Sequence, residues 1–212
     1  MSIDVGEILG RTLRLLRSMP MQAGAAAIAM TGVGVLIESF PTSASSLNLL
    51  NTGLTLGLEY WLIRSLLMDM GFTVSGSPRG WAFIGLGIVT GLGIALGFVL
   101  LVVPGIVLLV RWSISIPCLL ASDAGVFDSM RRSWDQTAGH FWPIFVSILV
   151  IYVPALGVVV LGGLMMELGG QPVLGILIMN AAFSAALIAG WAATVAIYSL
   201  LNQAPSVSEV FE

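Results

Sequence analysis

The sequence predicts an all-α, polytopic membrane protein with six transmembrane helices and two amphipathic helices on the cytoplasmic interface. Three observations carry this. Hydrophobic residues make up 58% of the 212-residue chain and charged residues only 9%, against about 25% charged in a typical soluble domain. Mean hydropathy is +1.03, and apolar stretches of spanning length alternate with short polar segments. All 8 basic residues are arginines, and all but Arg111 fall at one end of the alternating spans. So few charges cannot cover a soluble fold of this size, and a disordered chain would be polar.

Residues 2–18 read as the first interfacial helix. Ser2 is positioned to cap it, and Asp4, Glu7, Arg11 and Arg14 form a polar stripe beside Ile8, Leu9, Leu13, Leu15 and Leu16. Pro20 ends the helix. The stretch 21–38 follows three arginines and resembles the core of a signal peptide. Asp4 and Glu7 stand in what would be its basic leader, so it reads as a retained first span. A loop rich in Ser and Pro covers 39–46. Span 2, about 47–68, carries Asn48, Thr52, Thr55 and Glu59 on one stripe, which should face protein or water.

Gly71–Arg79 is a polar loop. The next 41 residues, Trp81 to Ala121, contain one charge, Arg111. As a single helix they would be about 60 Å long, twice the roughly 30 Å hydrocarbon core. Pro104 and Gly105 are the expected reversal point, giving span 3 at 81–103 and span 4 at 105–121. Residues 122–140 read as the second interfacial helix, capped by Ser122 or Asp123, with Val126, Met130 and Trp134 on its apolar face. Span 5 is about 141–162, with a kink expected at Pro154, and span 6 about 173–202 after a loop at 163–172. Residues 203–212 are a polar tail.

Six spans put both termini on one side, with Arg11, Arg14, Arg17, Arg64, Arg79, Arg131 and Arg132. The positive-inside rule makes that side cytoplasmic. The expected location is a bacterial inner membrane, crossed repeatedly. Small residues recur every fourth position in span 3 (Gly87, Gly91, Ala95; Gly93, Gly97) and span 6 (Ala181, Ala185, Ala189, Ala193; Ala182, Ala186, Gly190, Thr194). They are suited to close helix packing within the bundle or to a homo-oligomer seam.

Candidate functional residues are few. Arg111 within span 4 needs a partner, because a charge there costs about 2.5–3.5 kcal/mol on insertion scales. By helical rise it lies about 10 Å from Pro104, and Glu59 about 16 Å from Asn48. Arg111, Glu59 and Thr55 are therefore the candidate buried polar site, either as an internal lock through an Arg–carboxylate or Arg–carbonyl contact or as an anion-binding cavity, the third reading being that Arg111 snorkels to the outer headgroups. Arg131, Arg132, Trp134, His140 and Trp142 form the candidate partner-binding surface of the second interfacial helix. The six tryptophans mostly fall near expected interfaces. Cys118 is the single cysteine and His140 the single histidine, so neither a disulfide nor a Cys/His zinc site can be built within the chain. The net charge of −3 provides no basic field for nucleic acid. With no lysine there is no phosphate-binding Gly-Lys loop, and HExxH, GxSxG and CxxC motifs are absent. No cofactor and no enzymatic activity are expected.

From Leu101 to Ile144 the chain reads LVVPGI, VLLVRW, Pro117, Asp123-Ala-Gly-Val, SMRRSW and TAGHFW. This segment resembles the membrane domain attached to some glycerophosphoryl diester phosphodiesterases and related small bacterial inner-membrane proteins. Pro104, Gly105, Arg111, Pro117, Arg132, Ser133, Trp134, Thr137 and Gly139 carry the resemblance, and Val5–Leu9 resembles the start of such domains. The catalytic barrel of those phosphodiesterases has no counterpart here, so the resemblance implies a multi-span bundle and no phosphodiesterase chemistry. The reading is a non-enzymatic membrane module that binds a protein partner or lipid, the expected partners being membrane lipid and a membrane protein or a second copy. The alternative is a small permease or exporter with a polar site around Glu59 and Arg111.

Overall fold

The computed structural model describes residues 3–39, 44–74, 80–168, 170 and 172–202. The described residues are helical without strands. They form α1 (Val5–Ser18), α2 (Pro20–Ser39), α3 (Ala44–Asp69), α4 (Gly80–Leu100), α5 (Val102–Arg111), α6 (Ser115–Leu120), α7 (Val126–Gln136), α8 (Phe141–Leu168) and α9 (Pro172–Leu201). Ser2, Arg79, residues 40–43 of the expected 39–46 loop and the 203–212 tail lie outside the described residues, and the rest of that loop belongs to α2 and α3.

Five stretches are long and apolar enough to cross a membrane: α2, α4, the interrupted Val102–Leu120, α8 and α9. The sixth expected span, α3, has 26 residues but is less apolar, because Asn48, Thr52, Thr55, Glu59 and Arg64 dilute it.

Helix α9 is the hub, with α1, α2, α3, α6 and α8 all packed on it. It runs antiparallel to α8, where Gly162 and Gly175 bring the two backbones together. It also runs antiparallel to α2. Thr31 Oγ1 donates to Ser184 Oγ at 3.3 Å, and Asn180 Nδ2 donates to Glu38 Oε1 at 3.1 Å. At the opposite end of the bundle, Ser18 Oγ donates to Asp69 Oδ2 at 3.2 Å and Phe72 packs on Tyr198. The side-chain amides of Gln136 and Asn202 exchange hydrogen bonds of 3.0 and 3.1 Å. The ends of α1, α3, α7 and α9 therefore meet on one side.

Helix α1 is capped by Asp4, whose carboxylate accepts from the Glu7 amide at 2.7 Å, as Asp does at this position. Its buried face is Ile8, Thr12 and Leu15, narrower than expected; Leu13 is turned outward.

The structure corrects the expected reversal. The chain turns at Leu101, which is extended and precedes α5, rather than at Pro104-Gly105. Pro104 lies in the first turn of α5, where its missing N–H costs nothing because those amides have no partner within the helix. Gly105 serves close packing instead. A Cβ on Gly97 would stand 2.9 Å from the Gly105 Cα, so only two glycines let α4 and α5 approach this closely.

The expected continuous span at 105–121 is interrupted at 112–114. Pro117 supplies no amide for the Ser113 carbonyl, and its ring crowds that carbonyl. The Ser115 amide turns to Trp112 O at 3.1 Å instead of Arg111 O. The hydroxyls of Ser113 and Ser115 each donate to a backbone carbonyl at 2.8 Å and hold the turn.

The second amphipathic helix is also shorter than the expected 122–140. It spans 126–136 and begins at Gly125, without a side-chain cap. Ser122 is occupied elsewhere, donating to Cys118 O at 2.6 Å. Gly139, at φ +84°, makes the turn into α8, a conformation that glycine adopts without strain. Helix α8 continues through Pro154 to Leu168, so most of the expected 163–172 loop is helical.

Candidate functional site

Arg111 and Glu59 do not meet. Arg111 is half-buried, and its Nη1 donates to Trp134 O at 3.3 Å while its guanidinium lies 5.2 Å from the centre of the Trp134 ring. Its backbone carbonyl, released by the interruption, accepts from Ser133 Oγ at 2.7 Å and Thr137 Oγ1 at 3.3 Å. Both the side chain and the carbonyl of one residue are thus fastened to α7. The Arg–carbonyl form of the expected lock exists, and the Arg–carboxylate form does not.

The buried face of α7 is rotated from the expected one: Met130 is buried and Val126 packs beside it as expected, but Trp134 is not on this face. Ser129, Ser133 and Thr137 are buried together with Met130, while Trp134 is 39% exposed and Phe127 74% exposed. A small hydroxyl stripe is favoured there because it alone can both approach the interrupted helix and satisfy its free carbonyl. Arg131 and Arg132 are exposed. His140 is half-buried, with Nδ1 3.2 Å from Ala138 O, and Trp142 is 70% exposed. The aromatic belt is also smaller than expected, because Trp191 is buried and Trp112 packs over Gly93.

Glu59 and Thr55 line a cavity of about 550 Å³. The interrupted helix reaches it through Leu109 and Ser113, α8 through Tyr152, and α9 through Gly190, Trp191 and Thr194. Ile148, Leu187 and Ile197 complete apolar walls. Each contributing helix presents its residues near its middle: Glu59 is about 15 Å from the Asp69 end of α3, and Trp191 about 15 Å from the Leu201 end of α9, by helical rise. Leu149 and Tyr152, 40% and 39% exposed, stand where the cavity opens on the outside of α8.

Of the three residues expected to form one polar site, two line the cavity and Arg111 is not among the lining residues. Asn48 and Thr52, on the same expected stripe, are exposed. Ser113, Tyr152 and Trp191 were not expected here. Pro117 was the available signal for Ser113, since a proline frees the carbonyl four residues earlier. No periodic signal marks Tyr152. Arg64 does not enter the site either, as its Nη1 donates to Tyr60 Oη at 3.1 Å. Among the described residues no three His, Cys, Asp or Glu side chains are grouped to hold a metal ion. Cys118 is buried, with Sγ 3.7 Å from Gln136 Oε1.

Comparison of the chain with protein-family models, curated proteins and solved structures finds no match. Function is therefore read from the cavity.

Proposed function

We propose that this chain is a non-enzymatic, six-span protein of the bacterial inner membrane whose central cavity binds a ligand drawn from the bilayer. The observation that carries this reading is the cavity itself. It is mid-bundle and mainly apolar, has a few converging polar groups, and opens beside exposed Leu149 and Tyr152. Its size lies within the range of small-molecule sites. The resemblance of residues 101–144 to phosphodiesterase-linked membrane domains supports a bundle without hydrolytic chemistry of its own.

Counting α3 as the sixth span is supported by its two ends. It begins close after the Glu38 end of α2 and finishes at Asp69, bonded to Ser18, the last residue of α1, just before the Pro20 end of α2. It therefore crosses the same thickness as α2. With Arg131 and Arg132 on the α7 side of the bundle, near the end of α9, the positive-inside rule puts both termini in the cytoplasm. A reporter fused after Asn202 is expected to be active only in its cytoplasmic form; activity of a periplasmic reporter there would reject the topology.

The ligand reading is tested by filling the cavity. Thr55→Trp, on the α3 wall, is expected to remove whatever small molecule or lipid co-purifies with the wild type in native membrane discs, as read by mass spectrometry. Equal retention by wild type and variant would refute it. A second reading, a permease, is favoured by the helix interruption at the cavity, an arrangement that transporters use at midplane sites. Flux of the retained molecule into proteoliposomes would decide for it.

A further inference from the structure

Resting on the reading of the cavity as a ligand site, we propose that its ligand is an amphipathic organic cation, a single amine or quaternary ammonium head on an apolar body. Four features of the site select this chemistry over an anion or a neutral lipid.

The first is charge. Among the described residues, Glu59 is the one acidic or basic side chain that lines the cavity. Arg64 is held by Tyr60 and Arg111 by Trp134, and the chain has no lysine. An anion would meet a carboxylate with no compensating cation, whereas a cation supplies the missing counter-charge.

The second is the direction of the hydroxyls. Ser113 Oγ spends its hydrogen on Val110 O and Thr194 Oγ1 on Trp191 O, both at 2.8 Å. What these groups offer the cavity is therefore oxygen lone pairs, which match N–H donors or the polarised methyls of an ammonium and not the oxygens of an anion. The third is the helix interruption. Leu109 and Ser113 of the interrupted helix line the cavity, while the one basic residue of the last turn of α5, Arg111, is drawn away from it to Trp134, so this wall presents no cation to the ligand. The fourth is the wall. Trp191 and Tyr152 provide aromatic surface suited to a cation, and Leu109, Ile148 and Leu187 an apolar bed for the body. The opening beside Leu149 and Tyr152 suits a molecule that first partitions into the bilayer.

The test uses the full chain in bilayer discs of zwitterionic lipid and two probes of nearly equal size and apolar surface but opposite charge, tetraphenylphosphonium and tetraphenylborate. Wild type is expected to bind the phosphonium saturably and the borate only as empty discs do. Glu59→Gln is expected to weaken phosphonium binding by about tenfold or more, the effect of losing one close charge pair. Glu59→Asp, which keeps the charge, should stay within about threefold on the same scale. Thr55→Trp should abolish saturable binding.

Wild type that prefers the borate overturns the proposal even if no variant folds. So does undiminished phosphonium binding by a Glu59→Gln protein that unfolds at the wild-type temperature. If Thr55→Trp removes binding that Glu59→Gln spares, the cavity is a ligand site and the cation assignment fails. If Thr55→Trp leaves phosphonium binding untouched, the cavity reading itself fails.

Discussion

Gly175→Val is expected to cost about 3 kcal/mol or more, at the upper end of the range for overpacking a tight core. A Cβ at Gly175 would stand 2.6 Å from the Gly162 carbonyl oxygen, and one at Gly162 would stand 3.0 Å from the Gly175 oxygen. A flexible side chain can swing away from an added methyl, but a helix carbonyl bonded into its own turn cannot. The two helices must separate, and α8–α9 is the most extensive pairing in the bundle. The measurement is thermal unfolding in one detergent. Gly87→Val is the matched control, since a Cβ there meets nothing within 4 Å, and it should change the midpoint little. Wild-type midpoints for both would mean that α8 and α9 do not pack through Gly162 and Gly175.

The second large effect lies at the latch between α7 and the interrupted helix. Ser133→Ala combined with Thr137→Val removes both side-chain donors to the Arg111 carbonyl. An orphaned buried carbonyl costs about 1–3 kcal/mol, so the double variant should unfold several degrees earlier and exchange amide hydrogens faster at 112–115. Arg111→Ala alone should cost less, about 1–2 kcal/mol, because a partly exposed hydrogen bond and a cation–aromatic contact are lost rather than a buried ion pair. Its effect on stability should add to that of Glu59→Gln, since the two side chains share no partner. A strong non-additive coupling would restore the Arg111–Glu59 pair that the sequence suggested and would contradict the present geometry.

That pair shows where reading from sequence stops. Helical rise places Arg111 and Glu59 at similar depth, and depth was all that spacing could provide. Contact also depends on how each helix is rotated about its axis and on which helices are neighbours. Here a proline six residues beyond Arg111 interrupts the helix, and the side chain follows the freed carbonyl towards α7. The same cause rotated α7: Val126 and Met130 of the expected apolar face do pack on the core, while the unsatisfied carbonyl drew in Ser133 and Thr137 in place of Trp134.

Hydropathy and breaker residues alone determined the all-helical, membrane-type composition, the helices at 20–39, 80–100, 141–168 and 172–201 to within a few residues at most ends, and the need for a hairpin in the 81–121 stretch. These features are local, because a run of apolar residues has one low-energy backbone in lipid and prolines and glycines punctuate it. Only the tertiary structure decided that Gly105 is a packing contact rather than a turn, that the fourth apolar segment is two helices, and that Glu59 and Thr55 share a cavity with Ser113, Tyr152 and Trp191. Those outcomes join residues as far apart as Thr55 and Thr194. They follow from which backbones approach closely and which hydrogen-bonding groups an interruption leaves to be satisfied, and neither is encoded within any single window of the chain.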